Sequence, residues 1–266
     1  MQKIALGIEY DGSAYCGWQR QQHSPSVQER VEAALMRVAN HPVDVFCAGR
    51  TDAKVHASNQ VVHFESPSIR PEHAWVMGAN SHLPKDIRVL WCRHVSLEFD
   101  ARKSAIFRRY CYVISNRKIS PGIMNNAMTW VFADLCVDSM HKAAQFLVGN
   151  HDFTSFRGSQ CQAKTALRTV HAISISRKND MIVLDITANA FLHHMVRNIA
   201  GSLIAVGKKK HPPHWLKAVL EAKDRRLAGM MAPPHGLYLV DVSYPNDFML
   251  PRMNALPWFL DASQQI

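Results

Sequence analysis

The sequence predicts an α+β protein, because stretches in which apolar and polar residues alternate are interleaved with stretches of helical periodicity. In the first hundred residues these stretches follow the order strand, helix, strand, strand, helix, strand. A second set of similar elements follows without a low-complexity linker. We therefore expect two closely packed domains, over residues 1–104 and 105–266.

The first half opens with alternating apolar residues over 4–10, which predict a strand that ends at the Asp11-Gly12 turn. Ser26 and Glu29 have the spacing of a capping box, so a helix is expected to begin there. The remaining elements predicted in this half are strands over 43–48 and 60–65, a helix over 71–81 and a strand over 87–95.

The second half shows the same two periodicities. Its clearest helical pattern places Leu192, Met195 and Ile199 on one face of a helix over 189–206. The Asn179-Asp180 turn joins two alternating stretches into a hairpin. The strands predicted here cover 107–115, 170–177, 181–188 and 237–242, and the other helices cover 138–148 and 215–222.

The charge of the chain favours a polyanionic partner. Lys and Arg number 31 against 21 acidic residues, which gives a formal net charge of +10 and a pI near 9.5. Nucleic acid is the first candidate, and a merely solvated basic surface is the alternative. The basic residues occur as pairs dispersed along the chain, which is typical of a protein that grips a folded RNA rather than of a basic tail.

The cysteines and the apolar runs limit the other classes of protein. The six cysteines are scattered and form no C-x-x-C pair, so a zinc site of that kind is not expected. Neither a signal peptide nor an apolar run approaching the roughly 18 residues of a membrane span is evident. We expect a cytoplasmic protein with reduced thiols and no membrane contact.

The segment from Ala48 to Ala57 carries the most informative chemistry. It places Asp52 in a short loop between two predicted strands, two positions after Arg50. A nearby guanidinium favours the ionised, nucleophilic form of a carboxylate. The alternative is a turn aspartate that caps backbone amides, with Arg50 as its surface partner.

Six blocks of the sequence, in order, resemble the tRNA pseudouridine synthase A family. The central one is Gly49-Arg50-Thr51-Asp52-Ala53, which closely resembles the signature loop of that family. The other five blocks are Tyr10-Asp11-Gly12 with Gly17-Trp18-Gln19-Arg20, Arg108-Arg109-Tyr110-Cys111-Tyr112, Asp152-Phe153-Thr154-Ser155-Phe156, Phe191 to Asn198, and Gly236-Leu237-Tyr238-Leu239. The resemblance covers nearly the whole chain.

The resemblance implies a role for five side chains. Asp52 matches the catalytic nucleophile, and Tyr110 matches the aromatic platform against the target uracil. Arg197 matches the basic residue that pairs with the aspartate. Arg50 matches an arginine implicated in displacing the flipped nucleotide, and Leu237 matches an apolar wall residue.

Two of these residues have an alternative interpretation from the pattern alone. Tyr110 fits ordinary packing between strands. Arg197 lies on an otherwise apolar helix, where its side chain either meets a carboxylate or extends to the surface. His193 and His194 are adjacent in the predicted helix and would point about 100° apart, so a shared metal is not expected.

The resemblance also implies a fold, a substrate and an assembly. The fold is that of a pseudouridine synthase, with two related domains, mainly antiparallel sheets and a basic cleft between them. The substrate is tRNA, at uridines 38 to 40 of the anticodon arm, and the assembly is a homodimer without a cofactor. A non-catalytic RNA-binding protein and a hydrolase that releases uracil are the rival functions.

The sequence departs from the family pattern at two positions. Lys54 stands where the signature usually has glycine, and Lys103 replaces an aromatic residue that usually follows Ala101-Arg102. If position 54 requires a positive φ, lysine costs roughly 1 kcal/mol there.

Overall fold

The computed structural model describes residues 1–253 and 256–260. The strands in this part of the chain are β1 (Gln2–Tyr10), β2 (Phe46–Cys47), β3 (His56–Ser66), β4 (Ile87–Val95), β5 (Phe107–Ser115), β6 (Thr129–Trp130), β7 (Gly149–Asp152), β8 (Leu167–Lys178), β9 (Met181–Ala188) and β10 (Leu237–Ser243). The α-helices are α1 (Val27–Ala39), α2 (Glu72–His82), α3 (Val137–Ala144), α4 (Met195–Gly207) and α5 (Trp215–Ala222). Both kinds of element occur in both halves, as the sequence predicted.

The chain forms two compact units. The first contains Met1–Ile106 and the segment from Tyr238 onward, and the second is Phe107–Leu237. This division differs from the predicted domain over 105–266, because the last strand belongs with the first unit. There β10 pairs in parallel with β3, with Tyr238 opposite His56 and Leu239 opposite Ala57.

In the first unit the strands follow the order β4-β1-β3-β10, and β2 pairs with β3 at one end. β1 is antiparallel to both β3 and β4. The Ser26 hydroxyl accepts a hydrogen bond from the Glu29 amide at 3.4 Å, so the predicted capped start of α1 is confirmed. Trp75 of α2 packs edge-on against Phe64 of β3, with ring centroids 5.1 Å apart, and both side chains are fully buried.

In the second unit the order is β5-β9-β8-β7, all antiparallel, and β6 adds a short parallel pairing to β5. The predicted hairpin of β8 and β9 is confirmed, and Asn179 in its turn has a φ of 53°. Helix α3 packs on β8 and on α4. No helix in residues 1–253 or 256–260 is long and apolar enough to cross a membrane.

The predicted helix over 189–206 is wrong at its start, because α4 begins at Met195. The Asn189 side chain accepts hydrogen bonds from the amides of Thr169 at 3.0 Å and Ala190 at 2.8 Å, which hold the chain in a loop after β9. His194 then has a φ of 62°, in the left-handed region. His193 and His194 therefore precede the helix, and their rings stack at 3.6 Å instead of pointing apart.

Candidate active site

The loop that carries Asp52 connects β2 to β3 in the first unit, as predicted, and the side chain is half-buried. One end of the loop is held by Gln60, which is fully buried in β3. The Gln60 amide donates to the Gly49 carbonyl at 2.6 Å and accepts from the Gly49 amide at 3.4 Å. These two hydrogen bonds continue the pairing of β2 with β3 through the Gln60 side chain, and they fix the point at which the loop leaves β2.

The other side of the loop is held by the opening segment of the chain. The hydroxyls of Tyr10 and Thr51 are hydrogen-bonded at 2.7 Å in a buried position. The Trp18 amide donates to the Thr51 carbonyl at 3.0 Å, and the Lys54 amide donates to the Tyr15 carbonyl at 3.1 Å. The residues on either side of Asp52 are thus hydrogen-bonded to residues between 10 and 18. The first of the six sequence blocks therefore holds the Asp52 loop in place.

Two glycines of the opening segment permit this close approach. Gly17 has a φ of 98°, and a Cβ there would lie 2.7 Å from the Thr51 carbonyl oxygen. A Cβ on Gly12 would overlap the backbone carbonyl of Val55. Any other residue at either position would displace the Asp52 loop from its present course.

His56 joins the end of the loop to the same opening turn. Its Nδ1 lies 3.1 Å from the Gly12 amide and 3.1 Å from the Asp11 carboxylate, and its ring stacks on Tyr238 at 4.7 Å. The hydrogen bond with His56, supported by those from Ser13, holds the pKa of Asp11 well below its usual range. Sequence reasoning gave His56 no role, although it lies inside the signature segment and is 3% exposed.

Arg50 lies in the same loop as Asp52 and is exposed. The other three predicted site residues, Tyr110, Arg197 and Leu237, lie in the second unit. The structure therefore brings Arg50 and Asp52 together within one short loop, on a different unit from the predicted aromatic platform.

Tyr110 lies in the middle of β5, opposite Ile186 of β9, and its side chain is 8% exposed. Its ring meets Phe191 edge to face, with centroids 5.0 Å apart and an interplanar angle of 83°. The interpretation of Tyr110 as a strand-packing residue therefore accounts for part of its surroundings. Phe191 belongs to the fifth sequence block, so two blocks that are remote in sequence meet here.

Arg197 is buried on α4, with 8% exposure, so extension of its side chain to the surface is wrong. Its Nε donates to the Ala232 carbonyl at 2.9 Å, and the Ala232 amide donates to the Arg197 carbonyl at 3.1 Å. The helix thus holds a permanently charged guanidinium in an interior position, where a charge acts through a low dielectric. Leu237, the first residue of β10, is also buried.

The sequence profile of the family described as tRNA pseudouridine synthase matches residues 7–102 and 143–245, more than half of the chain. The chain belongs to this family. The predicted resemblance is therefore confirmed, and with it the pseudouridine synthase fold.

Relatives of nearly identical length carry the name tRNA pseudouridine synthase A. One from Pseudoalteromonas atlantica is 54% identical over 97% of this chain and 98% of its own. One from Coxiella burnetii strain Dugway 5J108-111 is 54% identical over 98% of this chain and 100% of its own, and one from Shewanella amazonensis is 54% identical over 97% and 99%. The crystal structure of a Cbf5-Nop10-Gar1 complex aligns at 12% identity with a TM-score of 0.40, over 89% of this chain and 48% of that one.

Within the tRNA pseudouridine synthase family, the departure at Lys54 has a structural cost. Lys54 has a φ of 64°, in the left-handed region that favours glycine. We expect Lys54→Gly to raise the free energy of unfolding by up to about 1 kcal/mol and to leave activity within about tenfold of the parent. Denaturant titration and initial rates with tRNA test this.

The matched control is Ala53→Gly, at the neighbouring exposed position, whose φ is not positive. At that position glycine only increases the conformational freedom of the unfolded chain, so the free energy of unfolding should fall by about 0.5–1 kcal/mol. If Lys54→Gly lost far more activity than Ala53→Gly, the Lys54 side chain would have a role of its own at the substrate.

Proposed function

We propose that this chain is a tRNA pseudouridine synthase, an isomerase that converts uridine to pseudouridine in tRNA, with Asp52 as its catalytic residue. Membership of the family supports the reaction. The observation that carries the assignment of Asp52 is the anchoring of its loop, which Gln60 holds on one side and Tyr10 and Trp18 on the other. A carboxylate held this way keeps its position while the substrate is rearranged, as a preorganised catalytic group must.

The chemistry explains why such a carboxylate is needed. A uracil inside a stem must be unstacked before a side chain can reach it, which costs a few kcal/mol. The bond between C1′ and N1 then breaks, the uracil rotates, and C5 bonds to C1′; C5 loses its hydrogen as a proton, and N1 takes up a proton. Asp52 serves this reaction by attack at C1′, by attack at C6, or by assisting loss of the 2′ proton. Because the product is an isomer of the substrate, no co-reactant is consumed.

The other predicted side chains receive separate roles in this proposal. Tyr110 stacks on the target uracil, and base–aromatic stacking contributes about 1–3 kcal/mol. Arg197 supplies positive charge from a buried position, and Leu237 supplies an apolar wall. Arg50, which is exposed beside Asp52, helps to displace the nucleotide from its stack.

The proposed substrate is the anticodon arm of tRNA, at uridines 38 to 40, and the proposed assembly is a cytoplasmic homodimer. The net charge of +10 supports an RNA partner. Family resemblance supports the three positions and the dimer.

Site-resolved mapping of pseudouridine in treated tRNA tests the proposal. We expect conversion at uridines 38 to 40, and none in a matched transcript that carries cytidine at those positions. Mass spectrometry adds a second criterion, because isomerisation leaves the mass of the RNA unchanged whereas loss of uracil lowers it. Release of uracil, or binding without any conversion, would contradict the proposal, and light scattering of the purified protein tests the dimer.

A further inference from the structure

Strand β2 presents an aromatic side chain at the surface directly before the Asp52 loop. Phe46 is 58% exposed, and it pairs with His63 across the antiparallel β2–β3 ladder. In the part of the chain that the structure describes, β2 pairs with β3 alone. Phe46 precedes Asp52 by six positions, so their Cα atoms lie within about 20 Å of each other.

The exposed ring has a rigid support behind it. Phe46 stacks on the ring of His63, with centroids 5.2 Å apart and an interplanar angle of 22°. The buried His63 accepts a hydrogen bond from the Ala101 amide at 3.0 Å and meets the edge of Phe99 at 5.9 Å. Burial lowers the pKa of His63, so the supporting ring is neutral at neutral pH. Phe46 is thus a flat apolar face that is held in place from one side and open to solvent on the other.

Two arginines border this face. The Ala101 amide donates to His63, the ring that supports Phe46, and Arg102 is the next residue along the chain. Arg50 follows Phe46 by four positions in the Asp52 loop, and both arginines are exposed. An aromatic face bordered by guanidinium groups is the combination that binds single-stranded nucleic acid, through base stacking and phosphate contacts.

We propose that Phe46 stacks on a base near the target uridine of the bound RNA and that Arg102 contacts a phosphate of the same strand. This inference rests on the proposed function for the identity of the RNA. It assigns a binding role to residues outside the signature loop, on a surface that leads into it. Stacking does not depend on base identity, so the contact adds affinity and positions the strand without selecting a sequence.

Three substitutions of Phe46 separate stacking from packing. Phe46→Ala and Phe46→Leu should both weaken tRNA binding by about tenfold, because leucine keeps apolar bulk but has no π face, whereas Phe46→Tyr should stay within about twofold. Filter retention with unmodified tRNA gives the affinity, and initial rates should show the loss in KM rather than in kcat. The matched control is Met77→Ala, at an apolar residue on α2 that is 69% exposed, and it should bind as the parent does.

The charge contribution is tested through salt. Arg102→Gln should lower the slope of log affinity against log salt by about 0.7–0.9, the value for one phosphate contact, while Phe46→Leu should leave the slope unchanged. If either residue had only a structural role, these two substitutions would not separate a change in the salt slope from a loss of affinity in this way. Thermal unfolding checks that each variant is folded, and Phe46→Leu keeps the test valid if Phe46→Ala does not fold.

Equal binding by the parent and Phe46→Leu would overturn the stacking role, as would an equal loss in Phe46→Leu, Phe46→Tyr and Met77→Ala. An unchanged salt slope in Arg102→Gln would overturn the phosphate contact. Failure of the proposed function is a separate outcome, because it shows as parent protein that makes no pseudouridine, whatever the affinities are.

Discussion

Asp52→Asn should abolish pseudouridine formation in tRNA and leave tRNA binding near the parent level. Asparagine keeps the size of the side chain and most of its hydrogen-bonding capacity, but it is not an anion. An interaction made only in the transition state changes kcat without changing ground-state affinity. Affinity in this protein is expected from dispersed basic residues and from stacking, to which Asp52 does not contribute.

Tritium release from tRNA labelled at C5 of uridine measures this, because isomerisation must expel that hydrogen, and filter retention measures binding in parallel. A rate above about one hundredth of the parent, a loss under roughly 2.7 kcal/mol, would show that Asp52 is not the catalytic residue. Loss of binding together with activity would instead favour a turn-capping role for Asp52. Asp247→Asn, at an exposed aspartate of the same unit, is the control and should behave as the parent.

Elements with strong local patterns could be predicted to the residue. The predicted bounds of β4, β5 and β9 agree with the structure, as do those of α5 at Trp215–Ala222. The capping box at Ser26 located α1 within one residue. In each case the contacts that determine the element lie within one helical turn or along one strand, so neighbouring residues in the sequence are enough to predict it.

Elements that depend on distant partners could not be predicted this way. β6 has two residues and β7 has four, too few for a period to be visible, and the strand predicted over 43–48 is limited to Phe46–Cys47. The start of α4 depends on Asn189, whose side chain binds the Thr169 amide across the sheet. The place of β10 in the first unit depends on a parallel pairing with β3 that no local pattern encodes.

The candidate site shows the same division. The sequence located Asp52 in a loop between two strands, and it identified position 54 as one where a positive φ would matter. It did not predict that Tyr10 and Trp18 hold Thr51, because these contacts join residues that are more than 30 positions apart. Nor did it predict the stacking of Phe46 on His63, which follows from strand register.

Gly12→Ala should damage both stability and catalysis, in contrast to Asp52→Asn. The new methyl group would overlap the carbonyl of Val55, which is backbone and has no rotamer by which to move away. Overpacking against a fixed group costs typically about 1–3 kcal/mol. Val55 donates its amide to the Asp52 carbonyl at 3.2 Å, so a displaced Val55 moves the loop of the proposed catalytic carboxylate.

We expect the free energy of unfolding to fall by about 2–3 kcal/mol in Gly12→Ala. Pseudouridine formation by the folded fraction should fall on the order of 100-fold, since a misplacement of about 1 Å has that effect on a catalytic group. Denaturant titration and tritium release measure the two losses. The control is Gly122→Ala, where a Cβ would meet nothing within 4 Å, and both quantities should stay at the parent values. A Gly12→Ala protein with parent activity would mean that the opening turn does not position Asp52. A loss of stability with unchanged kcat would limit Gly12 to a role in folding.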